Sequence, residues 1–330
     1  MPAFRRMKIM PILLILSLSG CGKARRFEDG AAAVAKGDYA TALEIWGPLA
    51  ERGDARAEYG IGLMHAEGTG VPQDDSMAVK WFRMAAEQGD PAAQNGIGVM
   101  YDAGRGVSQD YAEAVTWYRK AAGRGYAIAQ NNLGFAYSEG RGVSRDDIEA
   151  VQWYRKAAQG GFAAAQRNLG FEYETGEGVP RDYAEAMKWF RKAAAQGYAE
   201  AQFDLGFMYS AGLGVPRDDT MAVRWYRKAV DQGLSEAQFG LGIMYSRGTG
   251  VPRDDAEAVK LCRKAAEQGL AVAQSSLGDM YSQGRGVSRD DAEAAKWYQE
   301  AAGQGDADAL KHLDEMRRQG RGRVTQEGER

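Results

Sequence analysis

The sequence predicts an all-α protein, a right-handed α-solenoid of stacked helix-turn-helix repeats, and three observations predict it. Glycines stand at Gly53, Gly89, Gly125, Gly161, Gly197, Gly233, Gly269 and Gly305, a spacing of 36 residues held without a slip, and a fixed period of this length marks repeat architectures. Each unit between them carries two stretches of helical periodicity, and no unit can bury both apolar stripes alone, so neighbours must stack. Of 330 residues 43 are Gly and only 8 Pro, with 45% hydrophobic and 26% charged. That balance excludes collagen and disorder and fits a chain with many regular helix ends.

In chain order, residues 1–20 read as a targeting segment. A cationic start with Arg5, Arg6 and Lys8 precedes an apolar run over Ile9–Leu18, too short for the ~20 residues that span a bilayer. It ends in Leu18-Ser19-Gly20-Cys21, which resembles the lipobox of bacterial lipoproteins. The resemblance implies cleavage before Cys21, lipidation of that thiol and a permanent membrane anchor, since several acyl chains hold where one does not. Gly22, rather than Asp, follows it, which by the same resemblance implies the periplasmic face of the outer membrane. Residues 21–26 then form a lipidated linker.

Residues 54–305 hold seven units, each built like Tyr198–Gly233: an Ala-Gln-x-x-Leu-Gly-x-x-Tyr stretch, a Gly-x-Gly-Val-Pro/Ser loop, then Asp-x-x-Glu/Met-Ala and an aromatic pair. This pattern resembles the Sel1-like repeats, relatives of the tetratricopeptide repeats, over about three quarters of the chain. Residues 27–53 look like a half-matched N-terminal helix pair, 306–319 like a lone capping helix, and 320–330 like a disordered tail.

Within a unit, helix A (for instance Ala199–Ser210) places Ala201, Leu205, Gly206 and Tyr209 on one stripe. It stops at Gly212, where a left-handed residue costs glycine little, and Gly214 continues the turn. Helix B starts at Asp218 as N-cap. In five of the seven units Glu stands three residues after this Asp, as in Asp110 with Glu113, the pattern of a capping box. Unit six alone replaces its aromatic pair, with Leu261-Cys262. The expectation there is a buried inert thiol, the alternative a small pocket.

Chemistry is not expected. Two Cys and two His exclude a disulfide framework and weigh against a metal cage. His65 stands where the other units have Tyr, and His312 reads as a capping or exposed residue of the last helix. The Asp pairs recur at helix starts, where capping explains them. No metal, cofactor or catalytic residue is assigned. The formal charge is −3, and without Arg5, Arg6 and Lys8 it falls to about −6, so nucleic acid is set aside as a partner.

Variation among the units points to binding. With Asp54 as position 1, positions 3, 6, 10 and 13 change widely while the residues between them hardly change. Their spacing puts them on one face of helix A, and resemblance to tetratricopeptide repeats makes that face the concave groove. Large residues gather in the middle units at Asn131, Phe135, Arg167, Phe171, Phe203, Phe207, Phe239 and Ile243, the expected site for a protein partner. Some Sel1-like lipoproteins act as immunity proteins against a periplasm-directed toxin such as a type VI secretion phospholipase, and others scaffold secretion or exopolysaccharide export complexes. The resemblance implies one of these roles, with toxin neutralisation preferred for a compact acidic chain. A cell-wall or β-lactam enzyme is the remaining alternative.

Overall fold

The computed structural model describes residues 21–321; the expected targeting segment and residues 322–330 lie outside them. The described residues form seventeen α-helices and no strand. An N-terminal pair, α1 (Cys21–Ala35) and α2 (Tyr39–Ala50), is followed by seven hairpins of helix A and helix B. These are α3 (Ala55–Glu67) with α4 (Asp75–Glu87), α5 (Pro91–Ala103) with α6 (Tyr111–Gly123), and α7 (Ala127–Glu139) with α8 (Asp147–Gln159). Then come α9 (Ala163–Thr175) with α10 (Tyr183–Ala195), and α11 (Ala199–Ala211) with α12 (Asp219–Asp231). The last hairpins are α13 (Ser235–Arg247) with α14 (Asp255–Glu267) and α15 (Ala271–Gln283) with α16 (Asp291–Gly303), before the single helix α17 (Ala307–Arg318).

Two compact units divide these elements. The first runs to Leu169 and includes Glu177–Pro180; the second comprises Gly170–Gly176 and the chain from Arg181. In each, successive helices pack in chain order, α3 on α4 on α5 in the first and α11 on α12 on α13 in the second. Each unit is therefore an all-α, solenoid-type stack.

Local chemistry sets the hairpin. Asp74, Asp110, Asp146, Asp182, Asp218, Asp254 and Asp290 each accept a backbone N–H from the first turn of helix B, a cap worth about 1 kcal/mol. The reciprocal arm expected of the capping box is replaced by other contacts. Glu113 and Glu149 instead accept the indole N–H of Trp117 and Trp153 at 2.9 and 3.0 Å, and Glu185 and Glu257 pair with Lys188 and Lys260. The N-cap N–H is itself taken: Asp110 donates it to the Tyr101 carbonyl at 3.0 Å, and Asp146, Asp182, Asp254 and Asp290 make the same bond to their own helix A. Helix A ends at a left-handed glycine such as Gly212 (φ 69°). At Gly214 (φ 69°) a Cβ would lie 2.6 Å from the Tyr183 carbonyl oxygen, so that loop glycine is required both for its conformation and for close approach to the preceding repeat.

The core follows the same economy. A Cβ on Gly206 would sit 2.6 Å from Tyr226 Cε1, so the missing side chain lets the helix B ring lie directly on helix A. The same pairing joins Gly62 to Phe82, Gly98 to Tyr118, Gly134 to Tyr154, Gly170 to Phe190 and Gly278 to Tyr298. In the sixth repeat Cys262 takes the ring's place, with Sγ 3.0 Å from the equivalent point on Gly242. Cys262 is fully buried, and burial pushes its thiol pKa up to about 11, which fits the inert-thiol expectation rather than the pocket.

Both ends differ from expectation. Helix α1 begins at Cys21, so residues 21–26 continue the first helix instead of forming a linker. At the other end Gly320 is left-handed (φ 68°), and the Arg321 guanidinium binds Asp291 and approaches the Ser282 carbonyl. Arg105 makes the same bonds to Asp75 and the Ala66 carbonyl. Residues 306–321 are therefore the first half of an eighth repeat, and the tail expected from 320 does not begin there. This half-repeat carries Asp314, exposed, where helix A of every full repeat has its ring-facing glycine.

Candidate functional site

The eight predicted groove residues divide between the units. Asn131, Phe135 and Arg167 belong to the first; Phe171, Phe203, Phe207, Phe239 and Ile243 belong to the second. Asn131 is already engaged, because its Oδ1 accepts the Asn168 amide at 2.9 Å. Asn95 accepts Asn132 in the same way one repeat earlier, also at 2.9 Å. Asn131 is thus a rung of a polar ladder between helices A and remains half-buried. Phe135 is half-buried and lies 5.2 Å from the Arg141 guanidinium, a cation–π cover from its own hairpin. Arg167 is half-buried.

The second unit holds an open cleft. About 570 Å³ in volume, it is lined by Phe203 and Phe207 of α11, Phe239, Ile243 and Met244 of α13, and Tyr226 beneath. Leu270 and Val272, at the start of α15, add to the apolar wall. Phe203 and Tyr226 pack with their rings tilted by 34° and 5.6 Å between centroids. Gly240 lies at position 7, where α7 has Asn132, and opens the floor above the Tyr226 ring. Burial raises the Tyr226 phenol pKa, so the ring is neutral at any ordinary pH. Phe207 is 44% and Val272 48% exposed, large apolar side chains left in water at the pocket's wall, which marks an interaction surface; Phe171 of α9 is 40% exposed. The rim is charged. Arg217 is bound bidentately by Asp219 at 3.0 and 2.9 Å, while Glu236 and Arg247 are exposed at opposite ends of α13.

Sequence reasoning missed a polar cluster on the same helix A face. Asp279, at position 10 of α15, accepts the Tyr298 hydroxyl at 2.7 Å, and His312 Nδ1 of α17 lies 3.4 Å from the same oxygen. The His312 ring sits 4.9 Å from that of Tyr298, so His312 is a packed, half-buried residue of the face and not a helix cap. The signal was present in the 36-residue register, which places Asp279 in line with Ile243. His65, by contrast, replaces a Tyr whose role is plain: Tyr101, Tyr137, Tyr209, Tyr245 and Tyr281 each accept an Arg from the preceding helix B. Ahead of His65 the matching position is Gly47, so no Arg is there to be met. Among the described residues no three His, Cys, Asp or Glu side chains converge as metal ligands, and no helix is long and apolar enough to cross a membrane.

No curated protein matches the chain. Among solved structures it is similar to c5321, a protective antigen present in uropathogenic Escherichia coli strains, with 38% identity and a TM-score of 0.69 over 90% of this chain. It spans 65% of that protein's length. A Sel1 repeat protein from Oxalobacter formigenes is 35% identical over 89% of this chain and 87% of its own, with a TM-score of 0.68. Immunity protein Pa5087 from Pseudomonas aeruginosa is 22% identical over 60% of this chain and 75% of its own, with a TM-score of 0.43, a likeness too distant to carry a role. The Sel1 repeat family matches residues 55–90, 91–126, 127–162, 163–198, 199–234, 235–270 and 271–306 in unbroken succession, and the chain belongs to it.

Proposed function

We propose that this protein binds another protein through the helix A face of its second unit and is not an enzyme. The observation that carries the reading is the cleft between α11 and α13, where Phe203, Phe207, Phe239 and Ile243 surround an open space with Phe207 in water. Buried aromatic anchors in such pockets supply most of the binding energy at protein interfaces. Phe203→Glu combined with Phe239→Glu places two charges there. The double variant should lose partner capture from the cell envelope at least a hundredfold while its far-ultraviolet circular dichroism stays that of the parent; undiminished capture would move the site elsewhere.

The finer role proposed is neutralisation of a periplasm-acting toxin, such as a type VI secretion phospholipase, by an acyl-anchored protein on the periplasmic face of the outer membrane. The lipobox-like run into Cys21 supports the anchor, and a local cleft of about 570 Å³ suits one tight partner better than an extended assembly. The anchor is tested by labelling with an alkyne fatty acid, which Cys21→Ser should abolish. The toxin role requires a stoichiometric complex with a lipase-like effector and loss of its hydrolysis. If deletion instead leaves cells resistant to the effector's own strain but blocks surface polymer, the protein is an envelope scaffold.

A further inference from the structure

The helix A face of the second unit changes character along the stack, from aromatic to acidic. Positions 6 and 10 read Phe203 and Phe207 on α11, Phe239 and Ile243 on α13, Ser275 and Asp279 on α15, then Lys311 and Glu315 on α17. Lys311 is already bound by Asp308 at 2.8 Å, and Glu315 accepts only the Gln319 amide, at 3.0 Å. Asp279 is held by the Tyr298 hydroxyl, which donates to Oδ1, with His312 Nδ1 3.4 Å from the same oxygen. Its side chain is 33% exposed. Glu236 at position 3 of α13 adds another carboxylate, met only by the Ser235 hydroxyl. Against these stand Arg247 at the last residue of α13 and Arg318 at the last residue of α17, while Arg217 at the rim is held by Asp219. On positions 3, 6, 10 and 13 from α13 onward, the carboxylates Glu236, Asp279, Asp308 and Glu315 outnumber the cations Lys311 and Arg318.

We infer that the cleft's occupant is a polypeptide segment with an apolar anchor followed about four residues later by a basic side chain. The anchor seats between α11 and α13, and the basic group meets Asp279 of α15. This rests on the reading of the helix A face as a binding surface and adds the partner's chemistry and direction. Packed helices lie ~8–10 Å apart, so the cleft centre is about 14 Å from α15, a distance that an extended chain covers in about four residues. A partly exposed carboxylate held by a phenol hydroxyl is a ready acceptor for Arg or Lys.

Two fluorescein-labelled dodecapeptides test this against the full chain. Both carry a Phe-Leu pair, one with Arg four residues on and the other with Glu there. By fluorescence anisotropy in low salt the Arg peptide should bind at least tenfold tighter, and the margin should shrink as salt rises. Asp279→Asn keeps an acceptor for Tyr298 and should erase the preference. Val272→Arg, on the exposed wall and remote from Tyr298, should reverse it. Equal binding of the two peptides, or a preference that survives Asp279→Asn, overturns the inference. If it falls while the Phe203→Glu, Phe239→Glu pair still loses its envelope partner, only the partner's chemistry was misjudged. If that pair keeps every partner, the reading beneath it falls too.

Discussion

Tyr59 and Leu63 of α3 occupy the same two repeat positions as Phe203 and Phe207 of α11, yet the first two are 8% and 1% exposed while Phe207 stands at 44%. The ring geometry is nearly shared. Tyr59 lies 5.6 Å from Phe82 and Phe203 lies 5.6 Å from Tyr226. What differs is the next layer. Tyr59 and Leu63 join a core cluster with Ile97, Met100 and Trp117, whereas the residues after Phe207 leave an open cleft. A repeat position therefore has no fixed role. Variation at positions 6 and 10 reports core repacking at one end of the chain and a surface at the other.

Substitutions sharpen that contrast. The largest effect is expected for Leu63→Ala, about 2–5 kcal/mol of lost stability, against no more than about 0.5 kcal/mol for Phe207→Ala. Urea unfolding read together with amide hydrogen exchange near each site measures both, and a large cost at Phe207 would make it core. Next come the asparagine rungs. Asn95→Ala strands the buried Asn132 amide and should cost about 1–3 kcal/mol. Asn131→Ala, with a half-buried partner in Asn168, should cost less. If the Asn131 change instead weakened partner capture alone, Asn131 would belong to the binding surface as well as to the ladder.

A smaller effect has a pH signature. Glu58 stands where the later helices A carry Gln, is 1% exposed, and accepts the Gln88 amide at 2.6 Å. Gln94, Gln130, Gln202 and Gln274 at this position donate to a carbonyl eight residues back, which a carboxylate cannot do. Desolvation raises the Glu58 pKa, partly offset by Gln88. The folded chain thus holds this proton more tightly than the unfolded chain, and stability falls as pH rises through that window. Glu58→Gln should stabilise by about 1 kcal/mol at pH 7, and the gain should fade as pH drops below the ordinary carboxylate range. Thermal melts at pH 4 and pH 7 decide it. The mildest prediction concerns Cys262, whose buried, pKa-raised thiol should not react with a disulfide reagent at pH 8 until denaturant is added.

Period, helix ends and the helix B cap could be read from the sequence because each depends on one residue type at one spacing: Gly212 and Gly214 for the turn, Asp218 for the cap. The small residues of the core were equally legible, Gly206 because only a missing Cβ admits Tyr226. The binding face was legible as a set of positions and not as a set of exposed residues. Whether Asn131 is free depends on Asn168, 37 residues away, and whether Phe203 is covered depends on what Gly240 omits. The Asp279 and His312 pairing arises only when α17 packs beside α15, and nothing in either helix alone announces it. The capping box failed for a related reason, since the Asp110 N–H goes to the Tyr101 carbonyl of the preceding helix and is not left for Glu113.

Asp314 carries a consequence for anyone lengthening this protein. Grafting further hairpins behind α17 would press a helix B ring onto a carboxylate instead of onto bare backbone, and the added pieces would splay. Asp314→Gly is the change that would let such an extension grow, and a second molecule meeting this end would be turned away by the same side chain.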